Sequence, residues 1–244
     1  MVDEVVSDRP SKVLQVALGI ALVCALLVSF TAVTLRPYYI ANLEAERMAR
    51  LASILDALNE SGQAKRFDDI EARVVNLETG AYAEKLDPAT YDARRAANDP
   101  NASVAIPAEL DLSGIKRRAS HAVVYLLRKG DGTVDVIILP VRGVGYQSAL
   151  YAYLALSADT REILALKFYE QGETPGLGSQ IQNPRWESQW PGKQALDSEG
   201  KVSIRFDAIS GATRTSIGVD RLLKFWLGDF GFGPYLNRVR AGEG

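Results

Sequence analysis

Two short stretches of the chain gather residues suited to chemistry. Asp207-Ala208-Ile209-Ser210-Gly211-Ala212-Thr213-Arg214-Thr215-Ser216 sets small and hydroxyl residues between a strand-like run and a helix-like one. Backbone N–H groups and hydroxyls converge at such a junction. The positive end of a helix favours an anion, so the stretch suits a phosphate. The same residues also suit a helix cap, with Thr215 or Ser216 closing the helix end. Upstream, Gly172-Glu173-Thr174-Pro175-Gly176-Leu177-Gly178 sets three glycines around a proline. Such a loop lets a ligand approach the backbone without side-chain obstruction, and it equally makes a tight structural turn. It lacks the Lys-Ser/Thr ending of a P-loop and the glycine spacing of a dinucleotide fingerprint.

Other chemistries are excluded by what the chain lacks. Its 244 residues include one Cys and one His, and 28 Lys+Arg against 30 Asp+Glu leave a formal charge of −2. A single Cys forbids an intramolecular disulfide. One Cys and one His are too few for the usual zinc clusters and leave little scope for histidine-based nucleophilic catalysis. Acid–base work would fall to Asp, Glu, Lys or Tyr. Near-neutral charge argues against nucleic-acid binding, which needs a basic face. His121 stands isolated and reads as a surface or capping residue, and Cys24, inside an apolar run, as a small hydrophobe.

The elements that must position these stretches follow from hydrophobic patterning. Val13–Leu35 carries no charge over 23 residues, roughly 34 Å of helix and enough to span a bilayer. A cleaved signal peptide would have a shorter apolar region and small residues at its end. Here Arg36, Pro37, Tyr38 and Tyr39 follow, a charge and aromatics suited to a membrane interface. Arg9 and Lys12 before the run and Arg36, Arg47 and Arg50 after it give no clean orientation vote. Met48, Leu51, Leu55 and Leu58 recur at helical spacing, an amphipathic helix leaving the membrane. Residues 61–120 read as loops and short elements. Ala122–Leu127 and Thr133–Leu139 form a hairpin across Lys129-Gly130-Asp131-Gly132, and Leu150–Leu156 pairs with Arg161–Tyr169 across Ser157-Ala158-Asp159. Pro184–Gly192 predicts a short helix with loops, with Trp186 and Trp190 on one packed face. Lys201–Asp207 predicts a strand, and Ser216–Phe230 a helix with a broad apolar side. The expected fold is α+β, with a mainly antiparallel sheet and flanking helices. The expected organisation is a short head (1–12), a transmembrane helix (13–35), a membrane-proximal helix and irregular region (36–120), and a ligand-binding domain (121–244).

The two stretches also carry a family resemblance. Ser210-Gly211-Ala212-Thr213 matches the acceptor motif of proteins with covalently attached FMN. The chain also holds Pro140-Val141-Arg142-Gly143-Val144-Gly145, Leu150-Tyr151, Phe168-Tyr169-Glu170-Gln171-Gly172-Glu173-Thr174-Pro175-Gly176-Leu177-Gly178, Asn183-Pro184-Arg185-Trp186 and Trp190-Pro191-Gly192-Lys193. In order and spacing these resemble the C subunits of sodium-translocating NADH:quinone oxidoreductases (Na+-NQR), which are covalent-FMN flavoproteins. The resemblance is specific over residues 140–230 and looser before residue 120.

The resemblance implies a membrane-anchored electron-carrier subunit, not an autonomous NADH oxidase. A flavin transferase would move FMN from FAD onto Thr213 through a phosphoester. Ser210, Gly211, Ala212 and Thr215 would surround the acceptor, and Asp207 belongs to the wider motif. Glu173, Thr174, Leu177 and Gly178 would lie against the flavin from the glycine loop, with Gly143, Gly145 and Tyr146 forming the opposite wall. Family members often carry Trp where this chain has Gln147, which leaves the stacking residue open. Partners would be the other membrane and flavin or iron–sulfur subunits of the complex. The location would be the cell inner membrane, with the bulk of the chain on the periplasmic side. The flavoprotein subunit of Rnf-type ferredoxin:NAD oxidoreductases shares the acceptor and the glycine loop and is the nearest alternative. A cofactor-free, anchored external binding module is the alternative from another class.

Overall fold

The computed structural model describes residues 10–60, 70–197 and 200–243, so residues 1–9 of the expected head lie outside the described residues. The chain divides into two compact units, Met1–Arg47 and Met48–Gly244. A single helix, α1 (Pro10–Glu60), enters both and runs unbroken past Pro37.

In the first unit, Val13–Leu35 has a mean hydropathy of 2.6 and every side chain in it is exposed. It is long and apolar enough to cross a membrane. The hydroxyls of Thr31 and Thr34 donate to the carbonyls of Leu27 and Phe30 at 2.7 and 2.8 Å. Both are thereby satisfied within the helix, as an apolar surrounding requires.

The second unit is α+β. After α1 come β1 (Ile70–Asn76), α2 (Ala93–Asn98), β2 (Ser103–Ala105), β3 (Arg117–Ala119), β4 (His121–Arg128), β5 (Val134–Val144), β6 (Ala149–Ser157) and β7 (Glu162–Glu170). A 3-10 turn (Gly178–Gln182), α3 (Pro184–Glu187), β8 (Lys193–Gln194), α4 (Thr213–Leu227) and α5 (Gly233–Arg240) complete it. The main sheet has the order β1-β4-β5-β6-β7-β8, and every pairing in it is antiparallel. β2 and β3 form a separate two-stranded sheet.

Both expected hairpins form. Lys129 N–H donates to the Thr133 carbonyl and Gly132 N–H to the Lys129 carbonyl, each at 2.8 Å, which closes the β4–β5 turn. Strands such as Ala122–Leu127 are apolar in succession, with no polar alternation, because both sheet faces are covered. Val124, Leu126, Ile137, Leu139 and Leu154 face a core completed by Val219, Leu222 and Leu223 of α4. Val123, Tyr125, Val136, Ile138 and Tyr153 face a second core with Leu51, Ile54, Leu55 and Leu58 of α1. Burying each of those α1 side chains stabilises by about 1.5–3 kcal/mol. Met48 of the same expected stripe stays exposed.

Within residues 61–120, β1 is an edge strand of the main sheet, paired with β4 from Ile70↔Leu127 to Asn76↔His121. His121 opens β4 half-buried, its ring nitrogen 3.4 Å from Asn76 Nδ2, and burial pushes its pKa down. The expected strand Lys201–Asp207 does not form: Val202 makes one isolated bridge with Leu196, and the rest is irregular. Its alternation of Val202, Ile204 and Phe206 turns apolar side chains inward without a neighbouring strand to complete a ladder. Ile204 is buried and Phe206 packs on Trp186 and Trp190.

Candidate functional site

The residues singled out above converge from three places in the chain. The turn Gly145–Ser148 links β5 to β6, the glycine loop follows β7, and the acceptor stretch leads into α4. One buried side chain joins all three.

Glu173 is 5% exposed and its carboxylate accepts five hydrogen bonds. Oε1 takes the N–H groups of Gln147 and Ser148 and the Ser148 hydroxyl, each at 3.0 Å. Oε2 takes Tyr146 N–H at 3.2 Å and the Thr215 hydroxyl at 2.6 Å. Burial alone would push the carboxyl pKa up. The donors from Thr215, Gln147 and Ser148 outweigh it and hold the pKa below its ordinary value of 4.5. Glu173 is therefore a fixed negative charge at neutral pH. Ser148 Oγ also accepts from Gly172 N–H at 2.8 Å, tying the β5–β6 turn to the glycine loop a second time.

Two glycines make room for this carboxylate. A Cβ at Gly178 would stand 2.6 Å from Thr215 Oγ1 and 2.7 Å from Glu173 Oε2, and one at Gly145 would stand 2.6 Å from Glu173 Oε1. Neither position admits a side chain without displacing the hub.

The acceptor stretch is held at both ends. Asp207 N–H donates to Gln189 Oε1 at 2.6 Å, and the Asp207 carbonyl accepts from Trp186 Nε1 at 2.8 Å. Downstream, Ile209 N–H donates to Ser216 Oγ at 3.0 Å, and that hydroxyl donates to the Ala212 carbonyl at 3.1 Å. Between these clamps Gly211 adopts φ +78°, and Asp207, Ser210 and Gly211 are exposed. Thr213 is the first residue of α4 and is exposed. Ala212 precedes it without a side-chain cap, so the first-turn N–H groups are open to an anion. Neither Thr215 nor Ser216 caps the helix, because α4 starts before both. Thr215 is instead 2% exposed and bonded to Glu173.

The sequence-selected residues thus fall into two groups. Thr213, Ser210, Gly211, Asp207, Leu177 and Tyr146 are exposed, and Thr174 is half-buried. Glu173, Thr215, Gly178, Gly143 and Ala212 are buried, and Gly145 is half-buried. Gly143 lies under α4, where a Cβ would stand 3.0 Å from Leu222 Cβ. Leu177 Cδ2 reaches to 3.3 Å of a Cβ position on Gly211, so the glycine loop lies against the acceptor loop. Val144, Tyr146, Leu177 and Ile217, from the β5–β6 turn region, the glycine loop and α4, each expose between 44% and 52% of their surface. Residues that the sequence reading did not assign to the site are Ser148, Trp186 and Gln189, each of which bonds a backbone group of the glycine loop or of Asp207. Arg214, whose guanidinium lies 5.1 Å from the centre of the Tyr146 ring, is a fourth.

This arrangement fits known proteins. The FMN-binding domain family matches residues 145–228, which span the β5–β6 turn, the glycine loop and α4. The C subunit of the Na(+)-translocating NADH-quinone reductase of Vibrio alginolyticus is 39% identical over 252 residues, 97% of this chain and 98% of the relative. The corresponding C subunit of Pseudomonas aeruginosa is 39% identical over 258 residues, again 97% and 98% of the two chains. The crystal structure of Shewanella oneidensis NqrC superposes with a TM-score of 0.68 at 34% identity, covering 71% of this chain and 85% of that one. The crystal structure of the C subunit from Parabacteroides distasonis gives a TM-score of 0.52 at 27% identity over 68% and 77% of the two chains. The chain belongs to the NqrC family, the C subunits of Na(+)-translocating NADH-quinone reductases.

Proposed function

We propose that this chain is the flavin-carrying subunit of a sodium-translocating NADH:quinone reductase, with FMN attached to Thr213 through a phosphoester. The observation that carries the assignment is the contrast between two neighbouring hydroxyls. Thr213 is exposed at an uncapped helix start, whereas Thr215 is buried and donates to Glu173. A transferase can reach the first hydroxyl and not the second.

Attachment would use the Thr213 hydroxyl as the nucleophile toward the FMN phosphorus of FAD, the Thr–O–P bond forming as the pyrophosphate P–O bond breaks, with AMP leaving and the threonine proton passing to a base of the transferase. Gly211 and Ala212 present little bulk beside the hydroxyl. The open N–H groups at the start of α4 suit the phosphate, and the exposed apolar faces of Leu177, Tyr146, Val144 and Ile217 suit the ring. Bound FMN supplies the electron-carrying chemistry. A phosphoester leaves the ring unmodified, so its surroundings alone tune it. Glu173 keeps the walls in register by bonding the β5–β6 turn and the acceptor helix together.

The other subunits of the complex would deliver and remove the electrons and move sodium. The apolar helix Val13–Leu35 would anchor the chain in the cell inner membrane, with the flavin domain on the periplasmic side. Co-expression with a flavin transferase tests the reading. A fluorescent protein band on a denaturing gel under ultraviolet light is expected. Its absence, with a labelled control protein in the same cells, contradicts the covalent reading and favours a cofactor-free module.

A further inference from the structure

Arg214 directly follows the acceptor threonine, in the first turn of α4, and is exposed. A cation there opposes the helix dipole, and no acidic residue in that turn offsets it. Among the described residues it forms no ion pair. Its guanidinium lies over the Tyr146 ring, 5.1 Å from the centroid. Tyr146 is itself anchored, because its N–H donates to Glu173. The site therefore sets a buried carboxylate, Glu173, against an exposed guanidinium over the Tyr146 ring, with Asp207 exposed at the upstream end of the same stretch.

We propose that Arg214, held over the Tyr146 ring, sets the potential of the flavin at Thr213 by favouring its reduced, more electron-rich form. This rests on the covalent reading above. Reduction adds negative charge to the ring, which the buried Glu173 carboxylate disfavours and the neighbouring guanidinium favours. The flavin phosphate keeps its charge through reduction, so an Arg214 that served the phosphate alone would leave the potential where it was.

Redox titration of the flavin-labelled full chain in detergent separates these roles. Arg214→Gln should lower the reduced-to-oxidised ratio at fixed potential by roughly threefold to tenfold at low salt. Tenfold is about 30 mV toward negative values for a two-electron couple. Added salt should shrink the difference, because an exposed charge is screened. Arg214→Lys should keep most of the wild-type potential. If Arg214→Gln takes up no flavin, the salt dependence of the wild-type potential decides: a potential that added salt does not lower overturns the inference. A potential equal to wild type at low salt, or a shift that salt does not change, overturns the inference. A wild-type chain that carries no covalent flavin overturns the parent reading and this one together.

Discussion

The Thr215 hydroxyl donates to Glu173 Oε2 at 2.6 Å, joining the acceptor helix to the glycine loop across 42 residues of sequence. The same carboxylate gathers the amides of the β5–β6 turn. The glycine loop, the β5–β6 turn and α4 are thus referred to one buried charge. Glu173 acts here by positioning, since it is enclosed by its own donors.

Glu173→Gln keeps the shape but replaces one acceptor oxygen with an amide donor. That donor meets the N–H groups of the turn or the Thr215 hydroxyl, leaving buried donors unpaired. Such a loss costs about 1–3 kcal/mol. Urea unfolding of the detergent-solubilised chain should show an unfolding free energy lower by that amount, with a lower midpoint, and an unchanged midpoint would remove Glu173 from its central place.

The acid dependence of stability follows from the same group. A carboxyl whose folded pKa lies below its unfolded value stabilises the fold fully above the unfolded value, here 4.5. That stability is lost as pH falls through the folded pKa. Wild type should therefore lose stability below about pH 4.5 more steeply than Glu173→Gln. Parallel acid curves for the two chains would contradict this.

Gly178→Ala should be harmful although alanine is small. The new methyl would meet Thr215 Oγ1 and Glu173 Oε2 at 2.6 and 2.7 Å, and Glu173 Cβ at 2.8 Å. Overpacking of this kind costs about 1–3 kcal/mol. The control is Gly176→Ala, where no atom lies within 4 Å and only the strain of φ +76° is felt. Thermal unfolding should rank Gly178→Ala below that control, and the reverse order would refute the close packing.

Orientation is tested by a reporter active only outside the cytoplasm. Alkaline phosphatase fused after the last residue should be active in cells, and its activity should vanish when Val13–Leu35 is deleted. An inactive fusion in the full chain, present at normal abundance, would place the flavin domain on the cytoplasmic side.

Much of the fold is legible from local pattern. The two hairpins read clearly because apolar runs flank short polar turns, Lys129-Gly130-Asp131-Gly132 and Ser157-Ala158-Asp159, and the anchor reads from 23 uncharged residues. β1 is not legible, since Ile70-Glu71-Ala72-Arg73 mixes charges into an edge strand whose burial depends on β4. Lys201–Asp207 misleads for the opposite reason: it alternates like a strand but buries Ile204 and packs Phe206 beside the tryptophans without ladder partners. In the site, the acceptor tetrapeptide and the glycine loop are visible because their chemistry lies in adjacent residues. The role of Glu173 is hidden, because its donors come from positions 146–148 and 215 and meet only in the folded chain. Trp186 and Gln189 are hidden likewise, since what they hold is the backbone of Asp207.

The most direct test uses the tryptic map of the acceptor stretch. Arg205 and Arg214 bound a peptide, residues 206–214, that contains Ser210 and Thr213, while Thr215 and Ser216 fall in the next peptide, residues 215–221. Mass spectrometry of chain produced with a flavin transferase should find the mass of FMN less one water added to the 206–214 peptide, with fragmentation placing it on Thr213. Thr213→Ala should abolish the adduct and Thr215→Ala should keep it. FMN on residues 215–221, on Ser210, or retained by the Thr213→Ala chain would contradict the assignment.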